Sequence, residues 1–221
     1  MRYTVIRTNR KTVALVVESD GSLVVRAPKT TSQVKIDQFV NSKLDWIQRV
    51  QERLRKKPAA PAKHAYKPGE IFYFLGQAYP LEIVEHTSPR LNLEGGRFKL
   101  SKTGTMHGNK LFTDWYRKEA RQVINERVQF LSRKHGYKPN SVRITSARTR
   151  WGSCSARQNL NFSYRLVMAP VPVIDYVVIH ELVHLKIPNH SKVFWQQVET
   201  LIPDYKTRRD WLKKNGKLLT P

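Results

Sequence analysis

Residues 177–195, VVIHELVHLKIPNHSKVFW, place ionisable side chains in an otherwise apolar segment. The pattern predicts a helix from about residue 173 to 185 with almost no polar face, which is typical of a buried helix. Burying His180, Glu181 and His184 costs several kcal/mol unless partners satisfy them. These three side chains therefore need partners that stabilise them in the core.

A metal ion would provide such a partner. His180 and His184 are four residues apart, so they share a helix face and can aim two ring nitrogens at one point. A Zn²⁺ ion lies about 2 Å from each nitrogen that binds it, so such an ion suits this point. Glu181 is rotated by about 100° around the axis, where it can act as general base on a metal-activated water. His190 is the predicted third ligand, reached through KIPNH, where Pro188 disfavours helix for the residue before it.

Composition limits the class of protein. The 221 residues are 40% hydrophobic, which is enough to build a core, and the formal net charge is +23. Such a charge predicts attraction to polyanions such as nucleic acid or nucleotides, with a general solubility effect as the alternative explanation. The single cysteine, Cys154, excludes an intrachain disulfide and fits a reducing compartment. No run approaches the roughly 20 apolar residues that span a bilayer, so we expect a cytoplasmic protein with no membrane segment.

The pattern changes near residue 108, which predicts two regions. Residues 1–107 read as β-rich, with a hairpin at Asp20–Gly21, one helix within residues 30–57 and a Pro/Lys linker near residues 56–68. Residues 108–221 read as the hydrolase domain. It contains a long helix that stops at Gly136, two strands, the histidine helix and two further helices.

Five motifs occur in the same order as in a known family. They are RWGSCS (150–155), LNFSYRL (160–166), IDYVVIHELVHL (174–185), NHSKVFW (189–195) and IPDYK (202–206). In these the chain resembles the YgjP-like metallopeptidases, which are similar to the SprT-type zinc peptidases. The resemblance implies an α+β fold with a minimal zincin-like domain, in which a small sheet lies beside the H-E-x-x-H helix. It also implies that His180, His184 and His190 bind zinc and that Glu181 is catalytic.

The spacing of the three histidines is also that of metzincins, but Ile187 stands where those enzymes have a turn glycine. No Met-turn is therefore expected. If Ile187 does not allow the turn to His190, the resemblance offers an acidic third ligand further along, namely Glu199 or Asp204.

Four residues are candidates for substrate binding. Arg148, Arg150 and Trp151 precede Gly152 in ARTRWGSCSARQ, and guanidinium groups suit phosphate or carboxylate. An anion-binding loop and a structural turn with a core tryptophan are both compatible with this segment. Arg150 and Tyr205 are candidates for stabilising charge in the transition state, with packing as the alternative role of Tyr205.

The leading functional hypothesis is a zinc metallopeptidase that uses a water activated by Glu181. One alternative is a nucleoside triphosphate pyrophosphohydrolase, acting for example on UTP at the same metal site, although such reactions usually rely on Mg²⁺ held by carboxylates. Another is a nucleic-acid-binding protein with a zinc-stabilised core. The sequence gives no indication of the oligomeric state.

Overall fold

A computed structural model describes residues 2–18, 20–55 and 64–221. The chain divides into two compact units, residues 1–60 and residues 61–221. Residues 56–63 of the predicted Pro/Lys linker lie outside the described residues. The secondary structure is a mixture of helices and small sheets, so the predicted α+β class is confirmed.

Within its described residues, the first unit has three strands and two helices. These are β1 (Thr4–Thr8), β2 (Ala14–Val17), β3 (Leu23–Pro28), α1 (Gln33–Asn41) and α2 (Leu44–Arg55). The sheet order is β1-β3-β2, with β1 parallel and β2 antiparallel to the central strand. Strands β2 and β3 form the predicted hairpin, in which Gly21 adopts a φ of 87° that favours glycine.

The helix expected within residues 30–57 is in fact two helices. The break falls at Ser42, whose hydroxyl donates to the carbonyl oxygen of Phe39 at 2.8 Å. Such local bonds compete with the helical pattern and favour termination. The two helices bury Ile36, Val40 and Ile47 in a hydrophobic cluster that also contains residues of β3.

The second unit contains the remaining described elements. They are β4 (Ile71–Phe74), β5 (Gln77–Val84), β6 (Leu91–Glu94), β7 (Arg97–Ser101), α3 (Gly108–His135), β8 (Ser141–Thr145), β9 (Gly152–Cys154), β10 (Asn159–Ser163), α4 (Val171–Val183), α5 (Lys192–Leu201) and α6 (Tyr205–Asn215). One sheet has the order β4-β5-β7-β6 and the other β8-β10-β9. In the second sheet β8 is parallel and β9 antiparallel to β10.

The structure divides the chain at a different place from the predicted boundary between residues 107 and 108. Strands β4 and β7 share one hydrophobic core with α3. The ring of Phe112 lies 3.9 Å from that of Phe72 and 5.1 Å from that of Phe98. The hydroxyl of Tyr116 donates to the backbone carbonyl of Tyr73 at 2.8 Å. The change near residue 108 from strand-like to helix-like sequence therefore marks the start of α3 within one hydrophobic core.

Two helices of this core position the candidate site. Helix α3 ends as predicted at Gly136, where φ is 69°. Helix α4 is apolar almost all round and is held against α3 by Arg127, whose guanidinium donates two hydrogen bonds to Asp175 at 2.7 and 2.8 Å. In the described part of the chain, no helix combines the length and the apolar character needed to cross a membrane.

Replacing Tyr116 with Phe tests the link between β4 and α3. The substitution keeps the ring but removes the donor to the Tyr73 carbonyl, so we expect a loss of about 1 kcal/mol in the free energy of unfolding. Urea unfolding followed by circular dichroism measures it. Tyr79→Phe is the control, because its hydroxyl bonds the exposed Gln77 side chain; an equal loss in both variants would contradict the assignment.

Candidate metal centre

Helix α4 and the turn after it bring three imidazoles together. His180 lies in the last turn of α4, His184 is its C-cap residue, and His190 follows a reversal of the chain. Nε2 of His190 lies 3.0 Å from Nε2 of His180 and 3.2 Å from Nε2 of His184. One nitrogen from each ring lies within 4.8 Å of the others. The three residues predicted as metal ligands therefore converge on one point.

The turn that carries His190 is fixed by local contacts. Nδ1 of His184 lies 3.0 Å from the carbonyl oxygen of Ile187, the residue that replaces the metzincin glycine. Helix α5 then begins with Ser191, whose hydroxyl accepts from the backbone N–H of Phe194 at 3.4 Å. The ring of Phe194 lies 4.5–4.9 Å from all three imidazoles and forms an apolar floor beneath them.

The triad has the geometry and protonation that a divalent metal needs. Nitrogens that bind one tetrahedral zinc at 2.0–2.1 Å lie about 3.3 Å apart, close to the separations of His190 from the other two. Burial, with smaller contributions from His184 and His190, lowers the pKa of His180 to about 3. Burial also lowers the pKa of His184. Both imidazoles are therefore neutral near pH 7, and the contact of His184 Nδ1 with Ile187 leaves Nε2 free for a metal.

Glu181 lines the same cavity as the three histidines. This metal cavity has a volume of about 530 Å³ and is lined by the triad, Glu181 and residues of β9. Glu181 is only 5% exposed, and burial raises its pKa to about 8 against the opposing effect of the Arg150 charge. Gly152 makes room for the carboxylate, because a Cβ there would lie 2.5 Å from Oε1 of Glu181.

The two acidic residues considered as alternative third ligands are engaged elsewhere. Glu199 accepts from the Lys206 ammonium at 3.1 Å. Asp204 pairs with Arg208, four residues further along the chain, at 2.8 Å. Neither belongs to the cluster of potential metal ligands that the described residues form. The geometry favours His190 over both.

A second cavity adjoins Glu181 on the side of α6, and the sequence interpretation missed Tyr176, Arg209 and Lys213 among its lining residues. This side cavity, of about 330 Å³, is lined by His180 and Glu181 together with Tyr176, Arg209 and Lys213. Tyr176 precedes His180 by four residues, a spacing that places both on one helix face, and that signal was available in the sequence. Burial raises the pKa of Tyr176 to about 12, so its phenol is protonated near pH 7.

Tyr205, one of the predicted substrate-binding residues, is packed among other aromatic rings. It is 5% exposed and its ring stacks on Trp195 at 5.4 Å and on Tyr176 at 6.4 Å. The side cavity is lined by Tyr176 instead. A role for Tyr205 in supporting Tyr176 fits this arrangement.

The other three predicted substrate-binding residues lie together. Arg148, Arg150 and Trp151 line a cavity of about 710 Å³, which we call the arginine cavity and which also includes Arg165 and Lys217. Trp151 lines the side cavity as well. The tryptophan is therefore a wall between the surroundings of Glu181 and a strongly basic recess.

Comparison with known proteins agrees with this site. A family model described as "YgjP-like, metallopeptidase domain" matches residues 11–215. The chain belongs to the YgjP-like metallopeptidase family. Membership supports a metallohydrolase activity and implies a divalent metal, for which the histidine triad offers a matching set of donors.

A solved structure, the metallopeptidase zymogen abylysin of Pyrococcus abyssi, is similar to part of this YgjP-like chain. The identity is 24%, the match covers 44% of this chain and 96% of that one, and the TM-score is 0.39. A search of curated proteins gave no significant match.

Replacing His190 with Ala tests the metal centre. We expect divalent-metal affinity to fall by more than about 100-fold, because loss of a supporting residue alone typically costs 10–100-fold. Titration with Co²⁺, followed by its visible absorption, and metal analysis after dialysis measure the change. Glu199→Gln is the control and keeps its metal; full metal content in His190→Ala would contradict the assignment.

Proposed function

We propose that the protein is a zinc-dependent peptidase in which Glu181 is the general base. The observation that carries the proposal is the position of Glu181, a buried carboxylate that shares a cavity with three converging imidazoles. This cavity can accommodate a nucleophilic water and a peptide carbonyl beside the Glu181 carboxylate and the three imidazoles.

His180, His184 and His190 would hold the ion. Three imidazoles with an open side form a donor set that suits catalytic zinc, whereas Mg²⁺ and Ca²⁺ prefer oxygen ligands. When bound, zinc supplies Lewis acidity and lowers the pKa of water at the site towards neutrality. The Phe194 floor keeps the face beneath the imidazoles apolar and leaves the cavity side for substrate.

Glu181 moves the protons. Its carboxylate takes a proton from the attacking water and delivers it to the leaving amine nitrogen. The charge of Arg150 opposes the effect of burial on the Glu181 pKa, and a metal ion held by the triad would further favour the ionised carboxylate that this role needs. Tyr176, protonated and facing the side cavity, is in a position to donate a hydrogen bond to oxygen that gains negative charge.

Strand β9 supports a peptide as the substrate. Ser153 pairs with Asn161 of β10, and the neighbouring bonds run from Ser163 N–H to Trp151 and from Ser155 N–H to Asn159. In this antiparallel ladder the intervening residues of β9 direct their backbone groups away from β10. This edge carries no further strand among the described residues. An extended peptide can add to it, a common mode of recognition.

Two alternatives predict other outcomes for the same site. A nucleotide pyrophosphohydrolase would use the metal-activated water on a phosphoryl group, but the metal cavity has three imidazoles and only one carboxylate, unlike the usual Mg²⁺ sites. A nucleic-acid-binding protein with a zinc-stabilised core would not need Glu181 at all.

Replacing Glu181 with Gln tests the proposal. Zinc-loaded protein is incubated with an unfolded protein and with the four nucleoside triphosphates, and both new amino groups and pyrophosphate are measured. We expect amino groups from the wild type, and a rate lower by about 10²–10⁴-fold in Glu181→Gln, the usual contribution of a general base.

Glu199→Gln makes the same chemical change on α5 and is expected to retain full activity. Pyrophosphate release that depends on Glu181 would replace the peptidase with the nucleotide hydrolase. Equal rates in wild type and Glu181→Gln would remove the catalytic role of Glu181.

Gly152→Ala tests the position of the carboxylate without changing its chemistry. The added Cβ would meet Oε1, Cγ and Cδ of Glu181 at 2.5–2.8 Å, so the side chain must shift. Because misplacement by about 1 Å can cost 10²-fold, we expect a rate lower by at least about tenfold with metal content unchanged. Ser153→Ala, on the next residue of β9, is the control; wild-type kinetics in Gly152→Ala would contradict the assignment.

A further inference from the structure

The cavities around Glu181 lie next to one another along β9. The metal cavity and the side cavity share Gly152, His180 and Glu181. The side cavity and the arginine cavity share Trp151. A peptide that lies along the open edge of β9 and passes the start of the strand at Gly152 is therefore led to Trp151 and the arginine cavity behind it.

The arginine cavity is lined by several positively charged side chains and, among the described residues of its wall, by no acidic ones. The cations are Arg148, Arg150, Arg165 and Lys217. Arg148 and Lys217 make no ion pair or hydrogen bond in the described part of the chain. Nε of Arg165 is buried without a hydrogen-bond partner. Cationic groups held together in a recess are the arrangement that an anionic ligand stabilises.

Arg165 is held in place by the wall of the cavity. The guanidinium of Arg165 lies 5.1 Å from the ring centroid of Tyr164 and donates to the carbonyl oxygen of Ala147 at 3.4 Å. Trp151 is packed against Gly216, where a Cβ would lie 2.7 Å from its Cζ2 atom. The recess is thus bounded by buried rings and fixed backbone on several sides.

We propose, on the basis of the peptidase function proposed above, that the arginine cavity binds a carboxylate of the peptide substrate. The carboxylate belongs to an Asp or Glu side chain or to the α-carboxyl terminus, since these are the anions that an unmodified peptide carries. Arg148, Arg150 and Lys217 are the recognising cations, and Arg165 adds its charge from the wall. The enzyme is accordingly selective for peptides with an acidic group on the Trp151 side of the scissile bond.

Binding to the Glu181→Gln protein tests this inference without turnover. Three labelled peptides of equal length are compared by fluorescence anisotropy with the zinc-loaded full chain. One carries Glu and an amidated terminus, one is neutral with a free α-carboxylate, and one is neutral and amidated. We expect the neutral amidated peptide to bind at least about tenfold more weakly than one of the others, and the stronger of those two identifies the source of the carboxylate.

The double variant Arg148→Gln/Lys217→Gln, made in the same background, is expected to remove most of that tenfold preference, because it removes two of the three recognising cations. Arg133→Gln/Lys134→Gln removes the same two charges at the end of α3, where both side chains line a different cavity. It is expected to preserve the preference.

Equal binding of all three peptides, or equal losses in the two double variants, would overturn the inference and leave peptide hydrolysis by the wild type intact as support for the proposed function. If the peptides with a carboxylate bound preferentially but the wild type hydrolysed no peptide, the carboxylate site would be supported and the proposed peptidase function would fail. The affinity for a single-stranded oligonucleotide is measured in the same way. If the Arg148→Gln/Lys217→Gln variant lost more affinity for the oligonucleotide than for the peptide, the cavity would be reassigned to nucleic acid and the carboxylate assignment would be overturned.

Discussion

Helix α4 carries ionisable side chains into the hydrophobic core, and the neighbouring elements are arranged around the need to accommodate them. His180 and Glu181 occupy adjacent positions on a helix whose other residues are almost all apolar. Neither side chain can be solvated freely, so each must face a built cavity. The turn to His190, the apolar floor of Phe194 and strand β9 together provide it.

Two glycines show how tightly the surroundings are fitted. Gly152 leaves space that the Glu181 carboxylate fills, and Gly216 leaves space for the indole of Trp151. One contact sets the position of the Glu181 carboxylate and the other sets the wall between two cavities. Both are close approaches of backbone to a side chain, and any larger residue would move that side chain.

The central part of the site was predictable from sequence, because a four-residue spacing on one helix fixes relative direction wherever the helix lies. His180 and His184 follow from that rule, and so would Tyr176, had the same rule been applied one turn earlier. His190 depended on the turn through Ile187, which local rules allowed but did not require. The recess behind Trp151 depends on contacts between distant segments, including Arg165 and Lys217, which no local pattern reveals.

The fold was predicted less completely for similar reasons. The sequence indicated a long helix α3 but not which of its faces is buried, and the apolar Phe130 is 52% exposed. The face actually buried includes Tyr116 and Ala120, which a simple hydropathy pattern underweights. The break at Ser42 depends on one side-chain hydrogen bond. The joining of β4–β7 to α3 was decided by tertiary packing.

The position of the histidines at the end of α4 has an electrostatic consequence. The peptide dipoles of a helix sum to a partial negative charge at its C-terminus, and His180 and His184 occupy that end. This field attracts protons and metal cations alike. Protonation, however, would place separate positive charges on rings whose nitrogens are 3.0–3.2 Å apart, whereas one divalent ion could be shared by all three. The field of the helix end would thus favour a single multivalent cation over several protons.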